Sequence, residues 1–127
     1  KKAKDIVEKA VKFYKTNGKD KLFEEVNNTK GQFVDGEFYI FIIDFDGVNL
    51  ARGDGNVKRI GKNISDDKDP DGKYYIKEMI EITKKSGFGW VDYKRSNPTN
   101  KKIEPKSSFV KRIEGENFFL GCGFYKE

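Results

Sequence analysis

The stretch Glu-Phe-Tyr-Ile-Phe-Ile-Ile-Asp-Phe, residues 37–45, constrains this chain more than any other. Its apolar residues are β-branched and aromatic, and they run almost without interruption instead of alternating. That is the pattern of a strand buried on both faces. Such a strand lies inside a sheet and needs a further layer above and below it. Asp44-Phe45-Asp46-Gly47 then turns the chain, and residues 48–52 return as a second, antiparallel strand.

The rest of the sequence supplies the layers. Ala3, Ile6, Val7, Ala10, Val11, Phe13 and Tyr14 follow helical spacing and predict one long helix over residues 1–17, ended by Asn17-Gly18. Asp20 is placed to cap a second helix with Leu22, Phe23 and Val26 on its apolar side. Residues 53–72, rich in Asp and Gly, read as an excursion with little structure of its own, and such loops are usually functional. Tyr75, Ile76, Met79, Ile80 and Thr83 form another helical stripe, ending at Ser86-Gly87. Three more strands follow at 88–95, 102–113 and 118–125, with Pro105 marking the second as an edge or bulged strand. The order predicts an α+β, PAS-like fold: a five-stranded antiparallel sheet with a long N-terminal helix and helices flanking the sheet. The chain reads as one domain over 1–127, with a helical part at 1–30 and the sheet and pocket at 31–127.

Composition narrows the chemistry. Histidine is absent, which removes Ser-His-Asp and Cys-His catalysis and His-ligated metals. No nucleophile–base pair replaces them, so the expectation is no enzyme, no cofactor and no metal. The net charge of +5 arises from 26 Lys and Arg against 21 Asp and Glu, well mixed along the chain. Mixing of that kind gives a solvated surface, not a nucleic-acid footprint. Cys122, the single cysteine, sits between two glycines in an apolar strand and reads as a small core residue. No apolar run approaches the ~20 residues of a membrane span. The chain opens Lys1-Lys2 without Met, as an excised segment of a longer protein would.

Two stretches bear on function. Gly87-Phe-Gly-Trp-Val-Asp-Tyr93 carries the only tryptophan, and Trp90, Tyr93 and a Lys on the next strand could wall a small anionic pocket. Asp67-Lys-Asp-Pro-Asp-Gly72, continued to Glu78, scans as an EF-hand loop, with carboxylates at positions 1, 3, 5 and 12 and Gly at 6. The helix that should precede such a loop is missing, since residues 59–65 show no apolar stripe. A turn that caps the following helix accounts for the same residues.

Seven ordered segments together resemble a known family. They are Gly31-Gln-Phe-Val-Asp-Gly-Glu-Phe-Tyr-Ile-Phe41, Asp44-Phe-Asp-Gly47, Ile60-Gly-Lys-Asn63 and Asp69-Pro-Asp-Gly-Lys73, then Gly89-Trp-Val-Asp-Tyr93, Glu104-Pro-Lys106 and Gly121-Cys-Gly-Phe-Tyr125. In that order they resemble the single Cache sensor domains of bacterial chemoreceptors (methyl-accepting chemotaxis proteins) and sensor histidine kinases. The resemblance implies an extracytoplasmic, periplasmic domain of a membrane-anchored receptor, with a long N-terminal helix rising from a membrane span. It implies recognition of a small metabolite, often a short-chain carboxylate, without catalysis. A homodimer through the N-terminal helix is expected in the full-length receptor. Many relatives carry His-Pro where this chain has Arg52-Gly53, so either a permanently charged guanidinium replaces the imidazole or the ligand class differs.

A two- to four-carbon acid needs cationic donors, a hydroxyl and a tight apolar wall. Lys106 and Arg52 are the expected anion partners, with a hydroxyl from Tyr93, Tyr75 or Tyr39, and with Trp90 and Phe41 against the methyl end. Two alternatives stay open: a PAS-like interaction module that dimerises through its N-terminal helix without a small ligand, and a calcium-binding domain using residues 67–78.

Overall fold

The structure, a computed structural model, describes residues 2–97 and 100–126. Pro98 and Thr99 of the expected Asn-Pro turn lie outside the described residues. Helices α1 (Lys2–Asn17) and α2 (Lys19–Asn27) open the chain, followed by strands β1 (Ile40–Asp44) and β2 (Asn49–Arg52). Helix α3 (Tyr75–Ser86) leads into β3 (Phe88–Ser96), β4 (Ile103–Arg112) and β5 (Phe118–Tyr125). The five strands form one antiparallel sheet in the order β2-β1-β5-β4-β3.

The strand buried on both faces is β1, and its parity divides the core. Ile40 and Ile42 join Ala3, Val7, Ala10, Val11, Leu22 and Val26 under α1 and α2. Phe41 and Ile43 turn the other way, to Ile64, Tyr75, Ile76 and Met79. The topology dictates this second layer. Since β2 and β3 are opposite edges, the chain between them has to cross a whole face of the sheet. Residues 53–87 make that crossing and roof the second face with a short 3-10 turn at Val57–Arg59, a string of turns and α3.

Three expectations need correction. β1 starts at Ile40, because Asp35 and Phe38 pair with each other around Gly36 and tie residues 35–38 into a tight turn. Gly18, not Asp20, is the N-cap of α2; Asp20 lies in the first turn, where its charge suits the helix dipole. β4 is an interior strand, not an edge, and its register runs through Pro105 opposite Lys94 without a break. The proline fits because pairing with β5 stops at Lys106–Tyr125, so no ladder donor is needed from residue 105. The apolar stripe of α1 packs on its own sheet, leaving Lys4, Asp5, Lys12 and Lys15 outward. A helix pair through α1 would therefore have to use that charged side.

Candidate functional site

Strand parity places most of the expected residues together. On β3, Val91, Tyr93 and Arg95 face the roofed side, opposite Ser108, Lys106 and Glu104 of β4. On β5, Gly121 and Gly123 face that side too, and each makes room for one pocket residue. A Cβ on Gly121 would come within 2.3 Å of the Phe41 ring. One on Gly123 would stand 2.4 Å from Ser108 Oγ and 2.7 Å from Lys106 Cε. The two glycines thus let the Phe41 ring and the Lys106 stem lie flat on the strand.

Lys106 is only 4% exposed, and its ammonium lies 5.3 Å from the Tyr39 ring centre and 5.0 Å from that of Tyr125. Arg95 donates to the Tyr75 hydroxyl at 2.9 Å. Tyr75 stacks on Tyr93 with ring centres 4.4 Å apart and planes 2° from parallel. The Tyr93 hydroxyl is taken by Ser108 Oγ at 2.8 Å, and burial pushes its phenol well above the ordinary range. Among the described residues, neither Arg95 nor Lys106 has a carboxylate within ion-pair distance.

Arg52 differs. Its Nε and Nη2 donate to the two oxygens of Asp54, both at 2.7 Å, and Nη2 also reaches the Tyr39 hydroxyl at 3.4 Å. Burial opposes charge on both partners. Burial is the largest single influence, but it is outweighed by the mutual hydrogen bonds and charges together with Tyr39 beside Arg52 and the Asn56 amide and Arg95 beside Asp54, which hold the Arg52 pKa above and the Asp54 pKa below the ordinary value. The guanidinium expected to meet a ligand thus already holds an internal anion.

Of the cavities that adjoin these groups, two meet at the cations. An inner one of about 20 Å³ is lined by Phe41, Asn49, Arg52, Arg59, Tyr75 and Tyr93 among others, enough room for roughly one water. Asn49 Oδ1 and Arg59 Nε are buried there without a partner. An outer cleft of about 550 Å³ is bounded by Thr29, Val34, Glu37, Asp54, Ser96 and Tyr125. Tyr39, Arg95 and Lys106 line both, so the two spaces meet at an aromatic ring and two cations.

Of the expected residues, Tyr39, Phe41, Arg52, Tyr75, Tyr93 and Lys106 converge on the inner cavity, and Trp90 does not. Trp90 pairs with Phe109, which belongs to the α1 face, and packs on Phe109 and Phe124 while 41% exposed. An odd-numbered neighbour would have been needed, because successive side chains of a strand alternate. The Tyr75–Tyr93 stack supplies the aromatic wall instead. Arg95 was missed, although the same alternation carries Tyr93 to Arg95. Asp54 was missed as well, and its role follows from a turn no periodicity reveals.

The calcium-like loop comes apart. Asp69 accepts the amides of Asp71, Lys73 and Lys94, while Asp67 pairs with Arg59, Asp71 with Lys94 and Glu78 with Lys73. These carboxylates turn to separate partners. Among the described residues no group of three acidic or thiol side chains is arranged to hold a metal.

Known proteins resemble about two thirds of the chain in sequence and nearly all of it in fold. A sensor histidine kinase of Rhizobium johnstonii, MctS, is 36% identical over 68% of this chain, and 18% of that protein is covered. A methyl-accepting chemotaxis protein of Pseudomonas aeruginosa, CtpM, is 38% identical over 65% of this chain and is covered over 15%. The chain thus spans less than a fifth of either relative. Among solved structures, a Cache chemosensory domain described for carboxylic acid recognition superposes with a TM-score of 0.83 and 26% identity, over 99% of this chain and 92% of its own. A methyl-accepting chemotaxis protein of Vibrio parahaemolyticus shares the fold, with a TM-score of 0.80 and 23% identity over 98% of this chain and 86% of its own. The Cache domain family model matches residues 2–127, and the chain belongs to that family of signalling sensor domains.

Proposed function

We propose that this chain is the extracytoplasmic ligand-sensing domain of a membrane receptor, a chemotaxis receptor before a sensor kinase, and that it binds a small monocarboxylate the size of acetate, propionate, pyruvate or lactate. The observation that carries this reading is the pair Arg95 and Lys106, two cations without an acid partner among the described residues, on the floor of an open cleft. A buried charge without a counterion is costly, and an incoming carboxylate removes that cost while gaining charge-assisted hydrogen bonds. The carboxylate would lie between Arg95 and Lys106 at the Tyr39 ring, its alkyl end toward Phe41 and the Tyr75–Tyr93 stack. The carboxylic acid recognition described for the similar Cache domain supports the ligand class.

The nearly filled inner cavity speaks for a ligand-free interaction module. The 550 Å³ cleft and its two uncompensated cations weigh more. No described helix is long and apolar enough to cross a membrane, so anchoring would come from other parts of the receptor. Isothermal titration against two- to four-carbon acids and their amides tests the proposal. Acids should bind and amides should not. Lys106→Ala and Arg95→Ala should each weaken binding by about 30-fold or more, the range for removing one partner of a desolvated charge pair. Binding of acetamide as tight as acetate, or silence across the acid panel, would refute it.

A further inference from the structure

The third cation of the site is masked from the cleft. Arg52 lines only the inner cavity and Asp54 only the outer cleft, so Asp54 lies on the cleft side of the guanidinium it binds through both oxygens. The backbone builds this arrangement. Gly53 passes so close to α2 that a Cβ would stand 2.9 Å from the Val26 carbonyl oxygen, and this passage folds Asp54 back onto the residue two before it. The Asn56 amide donates to Asp54 Oδ1 at 3.0 Å and holds the carboxylate in place. The Asp54 carboxyl stays ionised well below the usual range.

Building on the carboxylate reading above, we propose that Asp54 sets the charge class of the ligand: it neutralises Arg52 and admits a monocarboxylate while rejecting a dicarboxylate. One carboxylate at Arg95 and Lys106 meets two cations. A second carboxylate on the same ligand, extended along the cleft, meets the Asp54 oxygens, with Glu37 further out on the exposed rim. Without the Asp54 charge, that second carboxylate would meet no anion in the cleft and would feel the field of an uncompensated Arg52 behind the side chain. The aspartate therefore acts by repulsion, which is how a site rejects a ligand that carries every group it wants and one more.

Titration of acetate and succinate into the wild type and Asp54→Asn decides this. The asparagine keeps the shape and an acceptor for Arg52 but removes the charge. The wild type should bind acetate at least about tenfold tighter than succinate, and Asp54→Asn should tighten succinate about tenfold or more while moving acetate less than about threefold. A wild type that takes succinate as tightly as acetate overturns the proposal even if the variant does not fold. A folded variant whose succinate affinity is unchanged or weaker overturns it too, with the carboxylate reading left standing. A wild type that binds neither acid removes both.

Discussion

The two faces of the sheet are built by opposite rules. Under α1 and α2 lie Val7, Ala10, Leu22, Val26, Ile40, Ile42, Leu120 and Cys122, an apolar layer with the part-buried Glu8–Lys111 pair at its margin. Around the inner cavity under α3 and the 53–74 segment stand four cations, Arg52, Arg59, Arg95 and Lys106, among tyrosines. Two of these four have internal acids, Asp54 and Asp67, and two have none among the described residues. The first face holds the domain together. On the proposed reading the second keeps unsatisfied charge in place for a ligand to satisfy, so stability and recognition should separate by face when residues are changed.

The largest effect should fall on binding from the second face. Lys106→Met removes a cation but keeps the apolar stem, and should cost about 2–5 kcal/mol of carboxylate affinity. Its unfolding midpoint without ligand should be no lower than that of the wild type, because a buried charge with no counterion adds nothing to the fold. On the first face, Ile42→Ala should cost about 2–5 kcal/mol of stability in urea unfolding and leave the affinity of the folded fraction unchanged. Trp90→Ala should likewise spare binding, since the ring lies on the side away from the cations.

Gly123→Ala sharpens the comparison by acting across one strand. The new methyl group collides with Ser108 and the Lys106 stem, and should cost about 1–3 kcal/mol through overpacking. Because the stem carries the ammonium, affinity should fall together with stability, unlike the other substitutions.

The pH dependence of the Arg52–Asp54 pair should be smaller. The folded Asp54 pKa is depressed, so the pair adds stability that is complete above the unfolded aspartate value of about 3.9 and is lost as pH falls through the folded value below it. Urea unfolding of the wild type and Asp54→Asn from pH 6 to 2.5 should show a constant difference above about pH 5 that closes toward the acid end. A difference that widens on acidification would reverse the assigned sign. Smallest of all, Cys122 is buried with its thiol pushed up to about 12, and a thiol reagent at pH 7.5 should leave the folded domain unmodified.

Much of this was legible in the sequence, and the reasons differ by element. The uninterrupted run ending at Asp44 could only be an interior strand, and the stripes of α1 and α3 announced their buried sides. Lys106 beside Pro105 and Tyr93 on the tryptophan strand both come to the inner cavity, and the alternation that excludes Trp90 and admits Arg95 is written in the same stretch. A lone tryptophan beside glycines drew attention away from parity. What could not be read was the Arg52–Asp54 pair. It depends on Gly53 pressing against the end of α2, a contact between distant parts of the chain that no local pattern records. The size of the inner cavity was equally hidden, since it is set by how the Tyr75 and Tyr93 rings stack across α3 and β3.

If the uncompensated cations mark where the ligand sits, a crystal structure of the domain grown with acetate or L-lactate should show it. Density for a carboxylate is expected within hydrogen-bonding distance of both Arg95 and Lys106, where the inner cavity opens into the cleft, with Asp54 still on Arg52. A ligand seated on the Trp90 face, or a carboxylate that has taken Arg52 while Arg95 and Lys106 stay apart from it, would contradict it.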